Sequence, residues 1–167
     1  MTNPLDKISL ANPWHLLATG FGSGLSPIIP GTMGTLAAIP FYFLLVQLPL
    51  PLYIVLVVIS CFIGVKICQI TSDDMGTHDH GSIVWDEFSG FWITMSFVPM
   101  MNLPVTEWKW LATGFVLFRF FDMVKPWPIG WLDKRVHGGF GIMIDDIVAG
   151  VMAWIALFLV GTYAGWI

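Results

Sequence analysis

Five apolar stretches punctuate this chain: roughly Gly34 to Gln47, Leu50 to Ile70, Phe88 to Leu103, Trp108 to Phe121, and Ile144 to the C-terminus. A helix needs about 20 apolar residues to cross a bilayer. The second stretch meets that length most clearly. The first, third and fourth are marginal and would have to extend into their flanks, tilt, or thin the bilayer. Pro40 is placed to kink the first. Two connections, Gln47–Leu50 and Asn102–Glu107, are short, with Pro49, Pro51 and Pro104 in or beside them, and read as tight helical-hairpin turns. Three others, Gly20–Gly34, Thr71–Glu87 and Asp122–Ile144, are long and polar. With five crossings, all three long segments fall on one side and both short turns on the other. The pattern predicts an all-α, polytopic membrane bundle of about four to five transmembrane or re-entrant helices, one domain over residues 1–167. A four-crossing version, with the first stretch re-entrant, moves the N-terminus but keeps the polar loops together.

Composition strengthens the membrane reading. The chain is 56% hydrophobic and 11% charged, with mean hydropathy +0.79. A soluble domain carries about 25% charged residues, and one this apolar would expose large greasy patches. Residues 1–14 are polar and hold no apolar core before a cleavage site, so no cleavable signal is expected and insertion falls to the later stretches. Lys7, Lys66, Lys125, Lys134 and Arg135 lie on or near the long-loop side, with Arg119 one turn in; Lys109 alone sits by a short turn. Basic residues favour the cytoplasm, so the polar loops are expected on the cytoplasmic side of the membrane. A net charge of −4 removes any electrostatic case for nucleic acid. Cys61 and Cys68 lie in one apolar stretch, too far apart along a helix to bond, and read as small fillers.

The polar segments carry the candidate chemistry. The first, GFGSGLSPIIPGTMGT at 20–35, is rich in glycine, with hydroxyls at Ser23, Ser26, Thr32 and Thr35. Glycines let backbone amides approach an anion, and a helix starting near Thr32 would aim its positive end at the same place. It lacks the Gly-Lys-Ser/Thr of a nucleotide loop, and an irregular membrane-entry loop would read the same way. The second segment holds His78 and His80 around Asp79, then Asp86 and Glu87 at the start of an apolar helix. The histidines are candidate phosphate contacts, although a solvated loop explains them equally. In the third, Arg119, Asp122 and Lys125 follow at i, i+3, i+6, one strip of a helix. Asp145 and Asp146 then open the last apolar helix.

The combination says more than any member. Asp86/Glu87 and Asp145/Asp146 each stand where a polar loop meets an apolar helix, and each pair is followed by small residues, Ser89-Gly90 and Ala149-Gly150, that permit close helix packing. Packed together, the helices would converge up to four carboxylates, with Asp122 a possible fifth. Such a cluster repels itself unless compensated. Oxygen-rich sites suit Mg²⁺, particularly beside a phosphate, so Asp86, Glu87, Asp145 and Asp146 are the candidate metal ligands. With Asp122 they form the candidate catalytic set. Arg119 and Lys125, with Thr32, His78 and His80, form the candidate phosphate-binding set. Cysteine-nucleophile, Asp-x-Asp-x-Thr and histidine-nucleophile phosphatase patterns are absent, which leaves metal-assisted attack by water. A small transporter would place its charges nearer the midplane, often with internal repeats. A structural subunit would explain the helices but not the clustered charges.

At four segments the sequence resembles the phosphatidylglycerophosphatase A family: GFGSGLSPIIPGTMGT at 20–35, HDHGSIVWDEFSG at 78–90, FRFFDMVKPWPI at 118–129 and GGFGIMIDDIVAG at 138–150. The similarity runs from about Asn12 onward, with no departure at the acidic positions. The resemblance implies an Mg²⁺-dependent phosphatase of the bacterial inner membrane, acting on phosphatidylglycerophosphate within the lipid to give phosphatidylglycerol. Neither the sequence nor the resemblance fixes an oligomeric state.

Overall fold

A computed structural model describes residues 3–167, and among these every regular element is helical. After a 3₁₀ turn at Pro4–Lys7, a short helix α1 covers Pro13–Ala18. Asn12 caps it, accepting the Trp14 N–H, and Pro13 sits where no amide is needed. The chain then forms a second 3₁₀ turn, Ser23–Leu25, and enters α2, Pro30–Leu45. Next come α3, Leu50–Met75, and α4, Trp85–Met95. The four-residue α5, Phe97–Met100, follows, then α6, Trp108–Val124, the short α7, Ile129–Asp133, and α8, Gly138–Tyr163.

Two of these helices, α3 and α8, are long and apolar enough to cross a membrane, with mean hydropathies of 2.4 and 2.1. Pro49 and Pro51 start α3, and Gly76, in the left-handed conformation at φ 69°, ends it. Its outward face carries exposed Val55, Ile59, Phe62 and Ile63, as a lipid-facing surface would. Large exposed aromatics stand near both ends of the bundle: Trp108 and Tyr163 at one, Trp127 and Trp131 at the other. That arrangement matches the two interfacial girdles of a membrane protein.

The centre is α4. It has 11 residues, about 16 Å at 1.5 Å per residue, and is buried on nearly every side. It packs against α8, α3, α2 and α6. Phe88, Phe91, Trp92 and Met95 fill the core with Phe118 of α6 and Leu157 of α8. Two bonds tie the middle of α4 to its neighbours: the Tyr53 hydroxyl donates to the Trp92 carbonyl, and the Trp92 indole donates to Ala38.

Several boundaries differ from the sequence expectation, and each has a local cause. The third apolar stretch is two pieces rather than one helix, because Ser96 turns its hydroxyl onto the Ile93 carbonyl and Pro99 brings no amide. The second stretch continues as helix to Met75, through Asp73 and Asp74. There Lys7 donates to the Met75 carbonyl, and buried His15 bonds Asp74 at 2.9 Å, docking the N-terminal segment on the end of α3. The last helix starts at Gly138, six residues before Ile144. Its free amides are capped from elsewhere: His78 Nε2 accepts the Gly138 N–H at 2.8 Å, and Gln69 Oε1 accepts that of Gly139 at 2.6 Å.

Candidate active site

The three long polar segments meet at one end of the bundle. What joins them is the approach of α4 to α8, which run side by side. A Cβ on Gly90 would lie 2.7 Å from the Asp146 carbonyl, and one on Gly150 would lie 2.5 Å from the Gly90 carbonyl. Only glycine allows backbones this close. Thr94 spans the contact, donating between the Gly90 and Gly150 carbonyls. One turn back on each helix stand the acids.

Asp86, Glu87 and Asp146 converge. One carboxylate oxygen from each lies within 4.8 Å of the other two, and all three residues are buried. Asp86 Oδ1, Glu87 Oε2 and Asp146 Oδ2 have no hydrogen-bond partner. Three buried oxygens without donors, one per side chain, carry a large desolvation cost unless a cation meets them. The oxygen shell of a hard divalent cation is about 4–5 Å across, so the trio fits one by donor type and by span.

Arg119 closes one side. Its Nη1 lies 2.7 Å from Asp122 Oδ2 and 3.8 Å from Glu87 Oε1, and it donates to Thr35 Oγ1 at 3.4 Å. Asp122 therefore orients the guanidinium and stands beside the trio. The first turn of α2 lies over this pair: a Cβ on Gly31 would collide with Glu87 Oε1 and fall against both Arg119 terminal nitrogens. Thr32 is half-buried in the same turn, and Thr35 is fully buried with its hydroxyl on the Gly31 carbonyl. α2 starts at Pro30, two residues before the expected Thr32, so the end of this glycine-rich stretch approaches the site as a helix start and not as an open loop.

Asp145 and Lys125 sit apart from the trio. The strip predicted through Arg119 and Asp122 breaks at Lys125, which adopts the left-handed conformation at φ 46° before Pro126. Its ammonium turns to Asp145 Oδ2 and Asp133 Oδ1, each at 2.6 Å. Partial burial alone would lower the Lys125 pKa, but Asp133 and Asp145 outweigh it and raise it. Asp145 is consequently spoken for by a lysine. Of the four carboxylates expected to converge as ligands, Asp86, Glu87 and Asp146 come together and Asp145 is turned to Lys125.

The histidines are also placed elsewhere. His78 caps α8 as described, and His80 bonds the Ser82 hydroxyl at 2.9 Å while accepting the Ser82 N–H. Three residues here escaped the sequence reading. Asp133 is separated from Lys125 by two prolines, with no helical spacing to link them. Gln69 caps α8 from α3. Asp79, left-handed at φ 47°, stands in the turn that leads into α4; its place between His78 and His80 was the one available signal.

The phosphatidylglycerophosphatase A family model matches residues 16–161. Phosphatidylglycerophosphatase A of Escherichia coli is 60% identical over 155 residues, covering 93% of this chain and 87% of that protein. The Haemophilus influenzae protein of the same name is 48% identical, covering 95% and 94%. A putative phosphatidylinositol-3-phosphatase of Bacteroides thetaiotaomicron is 38% identical, covering 85% and 89%. No solved structure matches the chain.

Proposed function

The chain belongs to the phosphatidylglycerophosphatase A family and is a phosphatase, and on that premise we propose that it hydrolyses the terminal phosphate of phosphatidylglycerophosphate, in the bacterial inner membrane and from the cytoplasmic side. The observation that carries this reading is the buried trio Asp86, Glu87 and Asp146, with its unpartnered oxygens, beside a guanidinium and a helix start. About five membrane-embedded helices, α2, α3, α4 with α5, α6 and α8, hold it.

In this reading the trio holds Mg²⁺, which supplies Lewis-acid charge against the phosphate oxygens when bound. The remaining work belongs to the chain. Arg119 donates to the phosphate oxygens, in a fork fixed by Asp122. The first turn of α2, with the Thr32 hydroxyl and the helix's positive end, faces the same group. A carboxylate of the site takes the proton of the attacking water. The bond to the glycerol oxygen breaks opposite the incoming water, and that oxygen receives the proton taken up from the water, giving phosphatidylglycerol and inorganic phosphate with inversion at phosphorus. Lys125 fixes Asp145, and through the adjacent backbone the start of Asp146: the Asp146 N–H donates to Asp145 Oδ1 at 3.1 Å.

The test is phosphate release by the purified full chain, in detergent with phosphatidylglycerophosphate, in chelator and after Mg²⁺ is restored. Loss and recovery are expected, and Asp146→Asn should abolish the recovery. Undiminished turnover in chelator would overturn the metal assignment, and absence of phosphate release under every condition would overturn the activity.

A further inference from the structure

Both α2 and α6 pack on α4 but make little contact with each other, and the gap between them is an apolar groove of about 320 Å³ open to the lipid side. We propose that this groove seats an acyl chain of the substrate, so that the lipid enters sideways between α2 and α6 with its phosphate at Arg119. The proposal rests on the phosphatase reading above and adds where the rest of the molecule lies.

Continuity with the site is the first argument. On α6 the wall of the groove is Val116, Phe115, Ala112 and Trp108, which stand three, four, seven and eleven residues before Arg119. Those intervals repeat one helical face, so the groove is the continuation of the strip that carries the guanidinium. On α2 the wall is Leu36 and Ile39, which share a face with Thr32 in the turn over the site. Length is the second argument. From Arg119 to Trp108 is eleven residues, about 16 Å along a helix, close to half of the roughly 30 Å hydrocarbon core. That length lets most of an extended acyl chain lie along the groove.

Two other lateral grooves carry polar bonds at their ends toward the site. Between α3 and α8, the groove at Phe62 and Ile147 is shut at its polar end by the 2.6 Å bond from the Gly139 N–H to Gln69. Between α6 and α8, the groove at Phe121 and Met152 is shut by the ion pair of Lys125 with Asp145. Between α2 and α6 the cross-connection among the described residues is the 3.4 Å bond of Arg119 to Thr35, made by the group that would bind the phosphate.

Ala112 is exposed on the groove wall, so Ala112→Trp fills the groove without entering the core. Ala156→Trp fills the α6–α8 groove as a control. The full chain is assayed on long-chain phosphatidylglycerophosphate in mixed micelles and on the same headgroup phosphate freed of its acyl chains. Ala112→Trp should raise KM for the long-chain lipid by about tenfold or more and leave kcat/KM for the deacylated compound unchanged. Ala156→Trp should change neither. Equal effects of the two substitutions, or an effect of Ala156→Trp alone, would overturn the proposal. A long-chain substrate carrying a photoreactive diazirine in its tail gives a readout that needs no turnover. Adducts on peptides of α2 and α6 containing Leu36 or Val116 support the groove, and adducts confined to α3 or α8 overturn it. Failure of the unsubstituted chain to release phosphate would strike at the phosphatase reading, while the adducts would still decide the groove.

Discussion

Gly150→Ala is expected to impair activity far more than stability. The new Cβ would lie 2.5 Å from the Gly90 carbonyl oxygen, where ordinary contact begins at 3.4 Å. The obstacle is backbone, so it cannot rotate away, and α4 and α8 must separate by roughly 0.9 Å if the strain is relieved along that contact. Overpacking of this kind costs about 1–3 kcal/mol, while alanine in place of glycine inside a helix returns about 1 kcal/mol. The net stability change is therefore small, about 0–2 kcal/mol. Activity has no such offset, because Asp146 rides on α8 and Asp86 and Glu87 ride on α4. A misplacement of about 1 Å can cost on the order of a hundredfold in rate. The assay is initial-rate phosphate release with Mg²⁺ in excess, beside thermal unfolding in the same detergent. Gly114→Ala is the control: its Cβ would meet Met95 Sδ at 2.6 Å, the end of a flexible side chain that can move aside. Turnover of Gly150→Ala equal to that of the unsubstituted chain would refute the idea that the glycine contact sets the carboxylate geometry.

Arg119→Ala should lower kcat by about a hundredfold or more, the loss of one charged donor worth about 2.7–4 kcal/mol; Arg119→Lys should recover only part of it, since the fork held by Asp122 is lost. Lys125→Met strips Asp145 of its partner and should destabilise the fold by about 1–3 kcal/mol, read by thermal unfolding. Because the Lys125 pKa is raised in the folded chain, its contribution is complete below the unfolded value of about 10.4 and fades only as pH climbs through the folded one. The stability gap between the unsubstituted chain and Lys125→Met should therefore stay constant from about pH 6 to about pH 9, and a gap that closes within that window would contradict the ion triad. With Cys61 and Cys68 replaced, cysteines at Thr77 and Lys134 should resist an impermeant thiol reagent applied from the periplasmic side while one at Thr106 reacts; the opposite pattern would reverse the orientation.

Much of the bundle was legible because membrane insertion writes itself into composition. The second stretch was read nearly to its ends, and the clustering of the polar segments followed from loop lengths alone. Helix starts were less legible. Nothing local marks Gly138 as the beginning of α8, since its caps come from His78 and Gln69, about 60 and 70 residues away. The consequence is functional: Asp145 and Asp146 lie about two turns inside the helix, not at its mouth. Spacing did not tell the two acids of this pair apart. Adjacent helical residues diverge by about 100°; both α4 acids still reach a shared point, whereas the two α8 aspartates part. Asp146 reaches it, and Asp145 faces Lys125 instead. Lys125 itself left the predicted strip because the helix ends in a left-handed residue before Pro126, a local event that overrides periodicity.

The charge balance of the site would tie a divalent cation to the lipid. With Asp86, Glu87, Asp146 and Asp122 ionised against Arg119, three negative charges remain. Each helix N-terminus contributes about half a positive charge, and α2 and α4 both begin here, so full ionisation would leave about two negative charges. A phosphate dianion brought to that surface would be repelled, and a divalent cation held by the trio would remove the repulsion. Lipid phosphate should in turn supply oxygens that the cation lacks in the free protein. Binding of the two is then mutually favourable, and the coupling must be equal in both directions. The expected outcome is that Mg²⁺ raises the unfolding temperature more in the presence of a non-hydrolysable phosphonate analogue of the substrate than without it, and that Asp146→Asn removes the difference. Additive shifts from Mg²⁺ and the analogue would show that the two occupy the protein independently, and would separate the carboxylate trio from the phosphate site.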